Sequence, residues 1–101
     1  MQLENGTYQM QGISLANLTE KYDTPLYVYD TAVMERQYKK MTKAFKKTRV
    51  KFNYACKALT NINVLRFFNK LGSGLDTVSI QEVQLGLKAG FDPKDIIYTP
   101  N

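Results

Sequence analysis

The chain has 101 residues, of which 44% are hydrophobic, so it forms one domain at most and has enough apolar side chains for a modest core. A single cysteine and the absence of histidine exclude an internal disulfide and a histidine-based metal cluster, and we expect no metal site. The first residues lack the basic and apolar regions of a signal sequence, and no apolar run approaches the ~20 residues of a membrane span. We therefore expect a cytoplasmic protein without a membrane partner.

The first half of the chain contains two helical patterns separated by a short β-prone segment. Leucines at helical spacing predict a short helix over Ser14–Tyr22, which a Thr-Pro pair follows. The aromatic and branched residues of Leu26–Tyr29 predict a brief strand. Asp30 or Thr31 is expected to cap a second helix that runs to about Lys47.

The net charge of +5 raises the alternative of a nucleic-acid-binding module, because basic residues crowd this second helix and the segment after it. Helical spacing explains them as a solvated face, since it collects the apolar side chains into one stripe on the other side. The stripe consists of Met34, Tyr38, Met41 and Phe45, and the outward residues are Arg36, Lys39, Lys40, Lys43 and Lys47. We therefore expect no nucleic-acid partner, and nucleic-acid binding remains the alternative.

The second half of the chain alternates strands and helices. The first half of Lys51–Lys57 predicts a strand, Asn61 an N-cap, and Gly72 the end of the following helix. The remaining elements are a strand over Gly74–Val78, a helix that begins with a Ser79/Glu82 capping box and ends at Gly90, and a strand over Ile96–Tyr98. This β-α-β-α-β order predicts parallel strands with helices packed against the sheet.

Side-chain alternation in the first of these strands predicts a candidate site. Tyr54 and Cys56 share one face with Phe52, which predicts packing against helices, while Ala55 and Lys57 lie on the other face with Lys51 and Asn53. Asp76 in the next strand is expected near Lys57 at the carboxyl edge, where α/β proteins place their chemistry. A lysine beside a carboxylate can form an imine with a carbonyl compound. The alternative is an ordinary ion pair, or a lysine that reaches solvent.

Four ordered blocks resemble the amino-terminal part of the pyridoxal-phosphate-dependent decarboxylases of alanine racemase-like fold. The blocks are Thr24–Asp30, Tyr54–Ala58, Gly74–Ser79 with Glu82, and Lys88–Phe91. The resemblance implies an α/β fold that is the amino-terminal part of a TIM-like (β/α)₈ barrel. It also implies a preceding short helix and a strand that joins a separate β domain. Residues 1–29 would then be an N-terminal segment, and residues 30–101 an incomplete barrel domain.

The resemblance also implies the roles of individual residues. Lys57 would be the catalytic lysine that binds the aldehyde of pyridoxal 5'-phosphate covalently, Asp76 an acid that orients it, and Ala55 a small residue beneath the cofactor. Cys56 replaces the valine usual in the family, and its predicted face makes it a core residue rather than a nucleophile. Ser79 and Glu82 match the family motif, but helix capping accounts for both.

The implied reaction is decarboxylation of meso-diaminopimelate to L-lysine in amino-acid biosynthesis, with arginine, ornithine or carboxynorspermidine as alternative substrates. A (β/α)₈ barrel takes about 250 residues, and the sequence has no histidine for the ring-stacking position of the family. We therefore expect a fragment that is inactive alone, belongs to a homodimeric parent enzyme, and self-associates through open strand edges.

Overall fold

The computed structural model describes residues 1–100, which form two units. The first unit covers Met1–Arg36 and the second begins at Gln37. This division falls inside a helix, whereas the sequence analysis places a domain boundary after residue 29, and that boundary stays a prediction. No helix in the described part of the chain is both long and apolar enough to cross a bilayer.

The first unit contains an antiparallel meander that the sequence analysis did not predict. Its strands are β1 (Gln2–Glu4), β2 (Thr7–Met10) and β3 (Ile13–Ser14), paired in the order β1-β2-β3. The turn between β1 and β2 is Asn5-Gly6, with φ of 50° and 74°, and both values are positive as a type I′ turn requires. An Asn-Gly pair is a strong hairpin signal, so the first hairpin was accessible from the sequence.

A short helix, α1 (Leu15–Tyr22), follows the meander and confirms the prediction for this segment. The Ser14 hydroxyl accepts a hydrogen bond from the Asn17 amide at 3.5 Å, so Ser14 is the N-cap. The predicted strand over Leu26–Tyr29 is wrong for this structure, which assigns no regular element there. A strand requires a hydrogen-bonded neighbour, and this segment pairs with no strand among residues 1–100.

The basic helix, α2, covers Thr31–Ala44, and Asp30 caps it as predicted. One Asp30 oxygen accepts hydrogen bonds from the amides of Ala32 and Val33 at 3.0 and 3.2 Å. The helix ends at Ala44, before the predicted Lys47. Just beyond this end, the Thr48 hydroxyl donates to the Phe45 carbonyl at 2.7 Å, and this bond competes with helical hydrogen bonding. The five basic residues predicted to face outward are exposed.

The second unit contains the predicted parallel sheet. Its strands are β4 (Asn53–Ala55), β5 (Gly74–Thr77) and β6 (Ile96–Tyr98), in the order β4-β5-β6. The connecting helices are α3 (Ile62–Lys70) and α4 (Ile80–Ala89). Both strand pairs are parallel, which confirms the β-α-β-α-β arrangement.

The ends of α3 and α4 are fixed by the predicted capping residues, with one difference. Asn61 accepts from the Asn63 amide at 2.9 Å, and Gly90 ends α4 with φ of 97°. The Ser79 hydroxyl accepts from the Glu82 amide at 3.2 Å, as in a capping box. The Glu82 carboxylate, however, accepts from the amide of Val78 at 2.8 Å rather than from Ser79. The buried acid therefore satisfies the first amide of the β5-to-α4 connection.

The core of the second unit lies between the sheet and its helices. It consists of Cys56, Leu65, Leu75, Ala89 and Phe91, against which Tyr54, Ile62, Leu85 and Ile96 pack. A side chain on Gly86 would collide with Leu75, so the glycine lets α4 approach β5 closely. Cys56 is fully buried, which confirms its predicted place in the core.

Candidate active site at the carboxyl end of the sheet

The register of the sheet gives it two chemically different faces. Tyr54, Leu75 and Ile96 are aligned across the strands and pack in the core. Because side chains alternate along a strand, Ala55 and Asp76 lie on the opposite face, where they are direct partners in the register. The structure therefore confirms the predicted alternation, which places the side chains of these two residues on the face away from the core.

A glycine on the opposite face leaves room for a side chain of the neighbouring strand. A side chain on Gly74 would collide with the side-chain amide of Asn53, its partner in β4, and would lie 3.0 Å from the Asp95 carbonyl oxygen. Two residues further along the strands, the pair Ala55 and Asp76 presents a methyl group beside a carboxylate. The floor of this face is therefore formed by small side chains.

Lys57 lies just after β4, in the 3₁₀ helix Cys56–Ala58. The strand ends at Ala55, so the alternation that assigned Lys57 to the same face as Ala55 does not extend to it, and that step of the sequence argument is wrong. The Lys57 side chain is exposed, and its amine has no ion pair with Asp76 or with any other residue among 1–100. In the structure, Lys57 therefore matches the alternative given in the sequence analysis, a lysine whose side chain reaches solvent.

The backbone around Lys57 is held by its neighbours. The Thr60 hydroxyl and the Leu59 amide both donate to the Cys56 carbonyl, at 3.1 and 3.2 Å, and the Tyr54 hydroxyl donates to the Leu59 carbonyl at 3.3 Å. Burial raises the pKa of the Cys56 thiol, and the nearby Glu82 carboxylate raises it further. Cys56 therefore anchors the turn as a neutral thiol.

Asp76 is bound by a residue that the sequence analysis missed. The Thr99 hydroxyl donates a hydrogen bond to Asp76 Oδ1 at 2.6 Å, and the Thr99 amide donates to the Thr77 carbonyl at 2.8 Å. The only available signal was the position of Thr99 directly after the last predicted strand. Polar residues at the carboxyl ends of parallel strands are typical of functional sites.

The family is shown by a comparison of this chain with family models. Residues 31–101 match the model described as the pyridoxal binding domain of pyridoxal-dependent decarboxylases. The chain belongs to this family. The cofactor of the family is pyridoxal phosphate. The sheet and helices of the second unit correspond to the amino-terminal part of the TIM barrel of this family.

Named relatives and solved structures are similar over nearly the whole chain. Diaminopimelate decarboxylase of Methanothermobacter thermautotrophicus is 40% identical over 100 residues, which cover 97% of this chain and 23% of the relative. The Vibrio cholerae diaminopimelate decarboxylase is 38% identical over 96 residues, covering 95% of this chain and 23% of that relative. The chain thus spans just under a quarter of the length of these curated relatives.

A solved structure of M. jannaschii diaminopimelate decarboxylase in complex with L-lysine superposes with a TM-score of 0.91 and 31% identity. This likeness covers 99% of our chain and 24% of that chain. The Aquifex aeolicus protein AQ1208 gives a TM-score of 0.90 and 34% identity, covering 96% and 24%. These similarities confirm the sequence-based recognition of the family.

The residues at the carboxyl end of the sheet fit the cofactor of this family. The Lys57 amine is exposed and free of ion pairs among residues 1–100, as a group that binds an aldehyde must be. Ala55 leaves room for a flat ring beside the Asp76 carboxylate. Lys57 would hold the cofactor covalently, and Ala55 and Asp76 would contact it.

Proposed function

We propose that this chain is part of an enzyme that removes one carboxyl group from meso-diaminopimelate and releases L-lysine. The observation that carries the proposal is the 34–40% identity to curated diaminopimelate decarboxylases along the chain. The open face with Ala55 and Asp76, next to the exposed Lys57, supports it. The substrate is the most specific part of the proposal, because the family description names a cofactor and a reaction type but no particular amino acid.

Three residues of this chain have assigned roles in the proposal. The Lys57 amine would hold the cofactor through its aldehyde until the substrate amine replaces it. The Asp76 carboxylate would orient the cofactor or the lysine, and the Ala55 methyl group would leave room for the cofactor and exclude water from that side. Because α3 and α4 fill the opposite face with apolar side chains, the substrate approaches from the open face.

The chemistry of the reaction comes from the cofactor. Pyridoxal phosphate, when bound, supplies an electron-withdrawing ring that stabilises the electron pair left on carbon as carbon dioxide departs. A proton then takes the place of the lost carboxyl group. Within this chain, the protein's contribution is to orient the reacting amine and to provide a fixed charge beside it.

Mapping of the cofactor-bound lysine tests the role of Lys57. Borohydride reduction of the full-length protein should fix the cofactor to the peptide that contains Tyr54–Ala58, and Lys57→Ala should abolish the label. Lys70→Ala, which removes another exposed lysine at the end of α3, is the matched control and should label normally. A label on any other lysine would disprove the assignment.

Measurement of carbon dioxide release tests the substrate. The cofactor-saturated full-length protein should release carbon dioxide from meso-diaminopimelate and form L-lysine in equal amounts. Turnover of arginine, ornithine or carboxynorspermidine without turnover of diaminopimelate would disprove the substrate and leave the family unaffected.

We also propose the setting in which the enzyme works. It functions in the cytoplasm as a homodimer whose partners are small amino acids, and it binds neither nucleic acid nor membranes. Residues 1–101 alone do not turn over substrate, because a stacking histidine is required and the sequence contains none. Steep salt dependence of binding to an oligonucleotide, with no uptake of yellow cofactor, would instead support the nucleic-acid alternative.

A further inference from the structure

We propose that Thr99 is a positioning residue of the cofactor site and acts by holding the Asp76 carboxylate in one orientation. This inference rests on the proposed function, since it assigns Asp76 to the cofactor. The 2.6 Å hydrogen bond from the Thr99 hydroxyl to Asp76 Oδ1 is its starting point.

The position of the Thr99 hydroxyl is set by the sheet rather than by Asp76. The Thr99 amide donates to the Thr77 carbonyl at 2.8 Å and so continues the parallel ladder one residue beyond β6. Thr77 is itself fully buried, and its hydroxyl donates to the Ile97 carbonyl at 2.9 Å. Two hydrogen bonds therefore tie the end of β6 to β5 before the Thr99 side chain makes any contact.

The hydrogen bond from Thr99 to Asp76 is short. Its 2.6 Å length is in the range of the stronger hydrogen bonds that hydroxyl groups donate to carboxylates. A carboxylate held in one orientation on the open face is suited to bind a cationic group of the cofactor or of Lys57.

The same bond leaves half of the carboxylate available. Ala55 and Ile97 flank Asp76 in the register and carry no hydrogen-bonding side chains. Among residues 1–100, Thr99 supplies the side-chain hydrogen bond to Asp76, and Oδ2 accepts none. Thr99 thus fixes the side-chain torsions of Asp76 while Oδ2 remains free to bind a donor.

Cofactor titration of the full-length apoprotein tests this inference. Thr99→Val keeps the shape and the backbone amide but removes the hydroxyl, and Thr99→Ser keeps the hydroxyl. We expect Thr99→Val to bind pyridoxal phosphate roughly tenfold more weakly, the effect of losing one charge-assisted hydrogen bond, and to change the absorbance band of the bound cofactor. Thr99→Ser should restore both the affinity and the band.

A double-mutant cycle decides whether Thr99 acts through Asp76. In the Asp76→Ala background, Thr99→Val should cause no further loss of affinity. Wild-type affinity and absorbance in Thr99→Val would overturn the inference, as would an undiminished loss in the Asp76→Ala background. A lower unfolding temperature with an unchanged absorbance band would also overturn it, because Thr99 would then be structural only.

The same titration separates the two proposals. If the wild-type protein takes up no pyridoxal phosphate on Lys57, the proposed function fails and the inference fails with it. If the wild type binds the cofactor and the Thr99 variants behave as wild type, only the role of Thr99 is refuted.

Discussion

Cys56 and Lys57 are neighbours in the sequence with opposite environments. The thiol is fully buried, while the amine is exposed. The sequence was sufficient to single out both residues, because Cys56 belongs to an alternating strand pattern and Lys57 follows it. It was not sufficient to place the amine, since the change from strand to 3₁₀ helix after Ala55 depends on hydrogen bonds made by Leu59 and Thr60. Thr99 could not be linked to Asp76 either, because no local pattern encodes the register of β5 and β6.

At the scale of the residue, we predict that Cys56 makes the stability of the protein sensitive to alkaline pH. The folded-state pKa of the thiol is raised, so its contribution is fully present below the unfolded-state pKa of about 8.5 and decreases as the pH rises through the folded-state pKa. The urea midpoint should therefore fall more steeply above about pH 8.5 in wild type than in Cys56→Ala. Parallel curves for the two proteins would refute the prediction.

The individual elements were predicted where side-chain periodicity and a capping residue agree. Asn61, Ser79 and Gly90 mark helix ends in the sequence and in the structure alike. The segment Leu26–Tyr29 shows the opposite case, since a strand depends on a neighbour and its residues cannot specify one. Asp30 was recognised as a cap, but its hydrogen bond from Gln11 joins residues 19 positions apart and has no local signature.

At the scale of the element, we predict that the start of α2 loosens in acid. The hydrogen bond from Gln11 and those from the Val33 and Ala32 amides lower the pKa of Asp30. Its stabilising effect is present above the unfolded-state pKa of about 3.9 and is lost as the pH falls through the lower folded-state pKa. The amide resonances of Ala32 and Val33 should therefore shift together below about pH 4.

Asp30→Asn is the control for this titration. The amide side chain still accepts a hydrogen bond but does not ionise in this range, so the shift of both resonances should disappear. A midpoint at or above the usual value for aspartate in the wild-type protein would contradict the assigned hydrogen bonds.

On the scale of the whole molecule, the order of the elements was the most predictable property. Alternating strands and helices allow little besides a parallel sheet with neighbouring strands, and β4-β5-β6 has this order. The meander of the first unit was missed although Asn5-Gly6 signals its first turn, because its strands are only 2 to 4 residues long, too short to show an alternation. The face of the sheet that carries Ala55 and Asp76 was predictable in outline, since it follows from the alternation of side chains within β4 and β5.

We predict that residues 1–101 self-associate through the sheet of the second unit. Within residues 1–100, β4 and β6 each have one edge without a neighbouring strand, and Ile97 and Tyr98 are 49% and 51% exposed. Unpaired edges with apolar side chains recruit other chains. Light scattering should show a mass that rises with concentration, and Ile97→Lys should reduce the rise. A monomer at every concentration would refute the prediction.

The turn after β4 also has a consequence for chemical selectivity. A thiolate is intrinsically a strong nucleophile, and an aldehyde that reaches this edge of the sheet meets a cysteine and a lysine in succession along the chain. The 3₁₀ helix directs the sulfur into the core, where it stays protonated, and leaves the amine in solvent. The fold thus presents the lysine rather than the cysteine to solvent, as the proposed role of Lys57 requires.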